Sequence, residues 1–373
     1  MMNRRWNMKK NDPFTRTPGV AGAAFINMHY ADEIIGSFED ESSSKFIYKI
    51  VGLRGSGKSV EYRTIMNTLV NRKDWLVYSL SSAGDPVSTL ISKISRETFI
   101  DSKSHSTTIS AGGSVGANGL LLKGGADIGI SKTSEINPAY YSAEAELSEM
   151  IQKANDNGYK VLVGIDDISR TPDMVKFLSI WGSMLLDDRK RIYLVCTGLA
   201  KNIEDFTNEP NLTFFKRSDL VEIKSLNEYE IALMYQKLLG VSDFESVRLA
   251  KFTCGYAYAY QVLGSLYYNK KPGESLADLV SVFDKILFSD SYDLIWKSLT
   301  AAEQELVRLI VSTPSGKASE IKRKMSKPSG FDSLRGRLIN KHLINTEERG
   351  VIRIDLPRFR EYVQLWHSDE GEA

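Results

Sequence analysis

The sequence predicts an α/β protein: a parallel sheet with helices on both faces, followed by a run of helices and a small C-terminal module. Three observations predict it. An apolar run, Phe46-Ile47-Tyr48-Lys49-Ile50-Val51, passes through a glycine-rich turn into Val60-Glu61-Tyr62-Arg63-Thr64-Ile65-Met66, the order strand, turn, helix. A second apolar run, Lys160-Val161-Leu162-Val163-Gly164-Ile165, ends in two acidic residues, Asp166 and Asp167. From Asn227 on, helical periodicity replaces the strand signals.

The turn is Gly52-Leu53-Arg54-Gly55-Ser56-Gly57-Lys58-Ser59. It matches G-x-x-x-x-G-K-[ST] at every fixed position, in the strand-to-helix context of a phosphate-binding P-loop. Its glycines let backbone N–H groups converge on a phosphate without Cβ clashes. The helix that starts near Lys58 and runs through Val60 adds its positive N-terminal end. Lys58 suits the β- and γ-phosphates, and the Ser59 hydroxyl suits Mg²⁺. The expected fold is therefore a P-loop NTPase sheet, and the expected ligands are ATP and Mg²⁺.

At 373 residues the chain is long enough for two or three domains. Its 48 basic and 47 acidic residues nearly cancel, so any nucleic-acid or membrane signal has to be local. Cys196 and Cys254 lack metal-ligand spacing and read as reduced thiols. The basic N-terminus has no apolar segment of signal-peptide type, and no apolar run is long enough for a bilayer. A cytoplasmic protein with no membrane partner is expected.

Residues 1–10 read as a polar tail. Asn11-Asp12-Pro13-Phe14-Thr15-Arg16-Thr17-Pro18-Gly19-Val20 carries two prolines and a glycine, which exclude a long helix. Such a stretch serves either as a cover for the adenine base or as a linker. A short helix is expected at 30–38, a strand at Trp75–Leu80 and a helix at Pro86–Glu97. The Ser/Gly/Thr-rich stretch 102–135 reads as an inserted hairpin or loop. A helix at Ala139–Asn157 precedes the strand ending at Asp166-Asp167. In a parallel sheet ligands sit at the carboxyl ends of strands. Asp166 is then opposite the P-loop, placed for Mg²⁺, and Asp167 is placed to orient or deprotonate water. The strand Arg191–Gly198 ends near Thr197, a candidate for positioning water, and Leu220–Ile223 reads as a short last strand.

Helices near 228–239, 244–253, 256–268 and 276–298 form an expected helical lid, the first opened by a capping box of Asn227 and Glu230. Tyr256, Tyr258, Tyr260, Tyr267 and Tyr268 read as core or interface residues. Helices at Ala301–Ser312, Lys317–Met325 and Phe331–His342 precede a hairpin of Leu343–Thr346 and Val351–Leu356, the winged-helix order. This part is basic, with Arg335, Arg337 and Lys341 on its third helix and Arg349 and Arg353 in the hairpin. The expected division is 1–45, tail and base-covering segment; 46–225, P-loop core; 226–299, lid; 300–366, winged helix; 367–373, tail.

Together these residues resemble AAA+ type P-loop ATPases of the replication-initiator and signal-transducing branches, most of all bacterial ATP-binding proteins with a C-terminal winged helix. The carriers are Asn11–Thr15, the P-loop, Ile165-Asp166-Asp167, Cys196-Thr197-Gly198, Cys254-Gly255-Tyr256-Ala257, Arg335–Ile339 and Asp355–Phe359. The resemblance implies that Lys58 and Ser59 hold phosphate and Mg²⁺, that Asp166 holds Mg²⁺, and that Thr197 senses the γ-phosphate. It implies slow hydrolysis of ATP to ADP and phosphate, since Asp167 stands where many AAA+ hydrolases have Glu. Arg217 is the candidate arginine finger, acting on a neighbour on self-association. A switch that does not hydrolyse is the alternative, with DNA or a protein as partner of the winged helix.

Overall fold

The computed structural model describes residues 11–100, 142–187, 191–346 and 348–368. The tail at 1–10 and the 102–135 insertion lie outside them. In chain order the first part runs α1 (Tyr30–Glu39), β1 (Ile47–Val51), α2 (Lys58–Val70), β2 (Trp75–Leu80), α3 (Pro86–Ile94), α4 (Ala143–Asp156), β3 (Lys160–Ile165), α5 (Pro172–Met184), β4 (Ile192–Gly198), α6 (Ala200–Thr207), α7 (Thr213–Arg217) and β5 (Asp219–Glu222). Then follow α8 (Glu228–Leu239), α9 (Asp243–Phe252), α10 (Ala257–Tyr268), α11 (Leu276–Leu287), α12 (Asp293–Lys297), α13 (Ala301–Ser312), α14 (Ala318–Lys324), α15 (Phe331–Asn340), β6 (Ile344–Asn345), β7 (Arg353–Ile354) and α16 (Phe359–Trp366).

The five long strands form one parallel sheet in the order β2-β3-β4-β1-β5. Every residue of β1, β3 and β4 is buried, as expected of central strands covered on both faces. One face carries a cluster built on Phe177, Trp181, Leu90 and Ile151, the other a cluster built on Phe38, Ile65 and Leu69. Register places Ile165 beside Cys196, and Ile50 and Val51 beside Thr197 and Gly198. The residues just past β1, β3 and β4 therefore meet at one edge of the sheet.

The helices from α8 onward form a third cluster. It runs from Tyr235 and Tyr260 through Phe283 and Tyr292 to Leu306, Leu338 and Phe359, and it takes in Phe14 from the N-terminal segment. Buried apolar contact thus continues across residue 300. A single π-helical turn, Phe288–Tyr292, joins α11 to α12 inside the helix expected at 276–298. The C-terminal part has the expected order of three helices and a hairpin, and Lys317 bridges to Val351 beside it.

Local expectations shift in four places. The helix at 86–97 ends at Ile94. Asn227 caps α8 by accepting from Tyr229 N–H, whereas the complete capping boxes form at Ser275 with Asp278 and at Thr300 with Glu303. Helix α16, which no sequence signal had separated from the hairpin, follows Arg358 in a left-handed conformation (φ 61°). His367, assigned to the tail, stacks on Trp296 at 4.2 Å.

Candidate functional site

A cavity of about 570 Å³ opens at the carboxyl edge of the sheet. Arg54, Gly55, Ser56, Gly57, Lys58, Ser59 and Val60 line it, with Asp166, Asp167 and Thr197 opposite. The turn needs its glycines: Gly55 and Gly57 have φ of 74° and 104°. Gly52 and Leu53 serve from behind, their carbonyls accepting from Lys58 Nζ at 3.0 and 2.7 Å. Burial pushes the Lys58 amine down to about 8, against the pull of Asp167 and Asp166. Ser56 Oγ is buried without a partner.

The acidic strand end is assembled by adjacent strands. Ser59 Oγ donates to Asp166 Oδ1 at 3.1 Å, and Thr197 Oγ1 donates to the same oxygen at 2.5 Å. Asp167 N–H donates back to Thr197 Oγ1 at 2.9 Å. Thr197 is 1 % exposed, and its single proton is committed to Asp166. Its direct partners are thus the two acids. Asp167 has φ 55°, a left-handed conformation that Asp tolerates better than most residues, and it is exposed. Ser59 and Asp166 form a hydroxyl–carboxylate pair fit for a divalent cation, and the orphaned Ser56 hydroxyl and the carbonyl-held Lys58 fit an anionic phosphate chain beside it. The arrangement can hold a nucleotide polyphosphate and its metal. Mg²⁺ would there be held by Ser59 and Asp166 and would neutralise phosphate charge.

The N-terminal segment closes one side. Thr15, Pro18, Gly22, Phe25 and Met28 line the cavity, so 11–28 is no free linker. It is pinned to α10: Asp12 accepts from Ser265 and Asn269 at 2.6 Å each, Thr15 N–H donates to Gln261, and Phe14 packs edge-on against Tyr260. Arg217 is not brought to the cavity. It precedes Asp219, which pairs with Tyr48 at the opposite end of β1 from the P-loop.

Three residues take roles that the sequence did not indicate. Tyr256 and Tyr260 are buried as expected, but Tyr256 also reaches the P-loop backbone, and Tyr258 lines the cavity. The Cys254-Gly255 turn that places them, with φ of 50° and 69°, was the available signal. His342 follows α15 at φ 55°, and its Nδ1 lies 2.7 Å from Glu222 Oε1 at the end of β5. Burial holds the His342 pKa below its usual value; Glu222 opposes this and the Lys58 charge adds to it. Its Nε2 is buried without a partner. The C-terminal module thus abuts the P-loop strand's neighbour. No sequence pattern gives a pairing between residues so distant in the chain.

Residues 290–363 match the family described as a domain of unknown function (DUF8462). No curated protein matches the chain. Among solved structures, the Aeropyrum pernix ORC2 protein in ADPNP–ADP complexes is 12% identical, with 91% of this chain and 94% of that chain covered and a TM-score of 0.50. The two share a fold, a P-loop NTPase type of parallel sheet with helices on both faces. Cdc6p from Pyrobaculum aerophilum is also 12% identical, covering 96% and 98% of the two chains, with a TM-score of 0.46. The replication initiator DnaA bound to AMPPCP and single-stranded DNA is 12% identical, covering 84% and 89%, with a TM-score of 0.41. Among the described residues no helix is long and apolar enough to cross a membrane.

Proposed function

We propose that the chain binds ATP–Mg²⁺ in the P-loop cavity and converts nucleotide state into the position of its lid (226–299) and winged helix (300–366). The observation that carries this is the Ser59–Asp166 hydrogen bond at 3.1 Å, which joins the P-loop helix to the acidic strand end where a metal belongs. Lys58 meets the phosphates, the base lies toward the 11–28 segment, and Asp167 aligns water for slow hydrolysis to ADP and phosphate. Thr197 acts by fixing Asp166 and Asp167. The His342–Glu222 contact is the link from the core to the winged helix. Titration with a fluorescent ATP analogue, with and without Mg²⁺, tests the reading. Mg²⁺ should tighten binding to the wild type and not to Asp166→Asn. No binding, or equal Mg²⁺ dependence in both, contradicts it.

A non-hydrolysing switch is the second reading, favoured by the short Asp167. Phosphate release that is undetectable in wild type and Asp167→Ala alike selects it. Release that rises with protein concentration and falls in Arg217→Ala restores the finger acting across a self-association interface.

For the winged helix a protein partner is the better-supported reading. Lys341 is bonded to Glu303, Arg337 pairs with Glu303, Lys322 with Asp332 and Arg353 with Glu348. Among the described residues Lys317, Arg323, Lys327, Arg335 and Arg349 form no ion pair and remain for a phosphate backbone. Anisotropy with duplex DNA at low salt decides: salt-sensitive binding selects DNA.

A further inference from the structure

We infer that Tyr256 is a positioning residue through which the lid sets the phosphate-facing amides of the P-loop. The inference rests on the nucleotide reading above and deepens it. From residue 226 onward, the described residues that line the cavity include no lysine or arginine. The lid therefore has no cation there to meet a phosphate directly. It touches the P-loop backbone instead. The Tyr256 hydroxyl donates to Arg54 O at 2.6 Å, and Tyr258 N–H donates to Gly55 O at 3.0 Å. Ser291 Oγ lies 2.7 Å from the same phenol oxygen. A phenol has one proton, and Arg54 takes it, so Ser291 is the donor to Tyr256. The relay runs Ser291, Tyr256, Arg54, from the π-helical turn to the phosphate cradle.

Peptide geometry carries the effect inward. Arg54 C=O and Gly55 N–H belong to one trans peptide and point in opposite directions. Fixing the carbonyl toward the lid aims the Gly55 N–H away from it. That N–H has no hydrogen-bond partner among the described residues. Burial raises the pKa of Tyr256, so its hydroxyl keeps the proton it donates. The fit is close: a Cβ at Gly55 would lie 2.5 Å from Tyr256 Oη and 2.8 Å from Tyr258 Cβ. Gly55 thus serves both the turn, at φ 74°, and the docking of the lid.

Tyr235 supplies the control. Its hydroxyl is equally buried and donates to Tyr260 O at 2.8 Å without touching the P-loop. On the full chain, Tyr256→Phe should weaken MgATP binding by about tenfold, the effect of one buried hydrogen bond, and Tyr235→Phe by less than about twofold at a similar loss of thermal stability. Ser291→Ala should fall between them. Affinity within about twofold of wild type in Tyr256→Phe, or an equal loss in Tyr235→Phe, overturns the inference. Amide hydrogen exchange of the ligand-free chain separates this from a failure of the nucleotide reading. If the wild type binds no nucleotide, that reading fails, and the exchange rate at Gly55 decides the inference. Faster exchange in Tyr256→Phe than in Tyr235→Phe supports it; equal rates overturn it.

Discussion

Lys58 and Lys341 are both shielded lysines, and they are held in opposite ways. Lys58 Nζ meets only the carbonyls of Gly52 and Leu53, and among the described residues it forms no ion pair. Burial leaves its amine at about 8. Lys341 Nζ meets the Glu303 carboxylate at 2.7 Å, and Glu303 is 1 % exposed. Arg358 is likewise held by Asp284 and Glu361. The P-loop keeps a cation ready for an external anion, whereas Lys341 and Arg358 are neutralised within the fold. A charge that is already matched holds structure; a charge held only by carbonyls is available to a ligand.

The sharpest way to break the comparison is at Glu303. Glu303→Ala strands Lys341 and removes the box that caps α13, so a loss of about 3 kcal/mol is expected in denaturant unfolding. Burial pushes the Glu303 pKa up, but the bonds from Lys341 and Thr300 outweigh it and hold the value low. Its contribution is therefore complete above about pH 4.3 and is lost as pH falls through its lowered pKa. A change below about 0.5 kcal/mol would show that the module's charges are not structural.

A smaller effect is expected at Thr197. Thr197→Val keeps the volume but removes the bond to Asp166 and leaves Asp167 N–H without its partner. Phosphate release, or Mg²⁺-dependent nucleotide affinity if release is absent, should fall by about tenfold. An unchanged rate and affinity would remove Thr197 from the site's support.

The smallest effect tests the join between the two regions. Burial favours neutral His342 in the folded chain. Its folded pKa lies below the unfolded value of about 6.5, so its contribution is complete above that pH and is lost as pH falls below it. Between pH 6.5 and 5 the wild type should lose up to about 2 °C more in Tm than His342→Gln. Parallel profiles would show that burial does not favour neutral His342 in the folded chain.

What could be read in the sequence followed from locality. Strand, glycine turn and Lys58-Ser59 are contiguous, so the P-loop and its helix stand where the spacing put them. Asp166 and Thr197 were legible because each ends an apolar strand, and a parallel sheet brings such ends together. The contacts of Tyr256 with Arg54 and of His342 with Glu222 were not legible. They join residues 202 and 120 positions apart, through left-handed turns at Cys254 and His342 that no periodicity reports. Helix α16 was missed because Pro357 and Arg358 interrupt its approach. Arg217 lies at the end of the sheet away from its own chain's cavity, so as a finger it would serve a neighbouring chain, as its position before the last strand suggested.

Calorimetric titration of the full chain with MgATP, set beside Lys58→Ala, tests the central claim most directly. The wild type should bind one nucleotide per chain, and the variant should lose about a hundredfold or more in affinity while its circular dichroism stays native. Because the Lys58 amine sits at about 8 and a bound phosphate favours its charged form, wild-type affinity should also decline as pH rises from 7 to 9.5. Equal affinity in the two proteins, or no heat of binding in the folded wild type, would contradict the account.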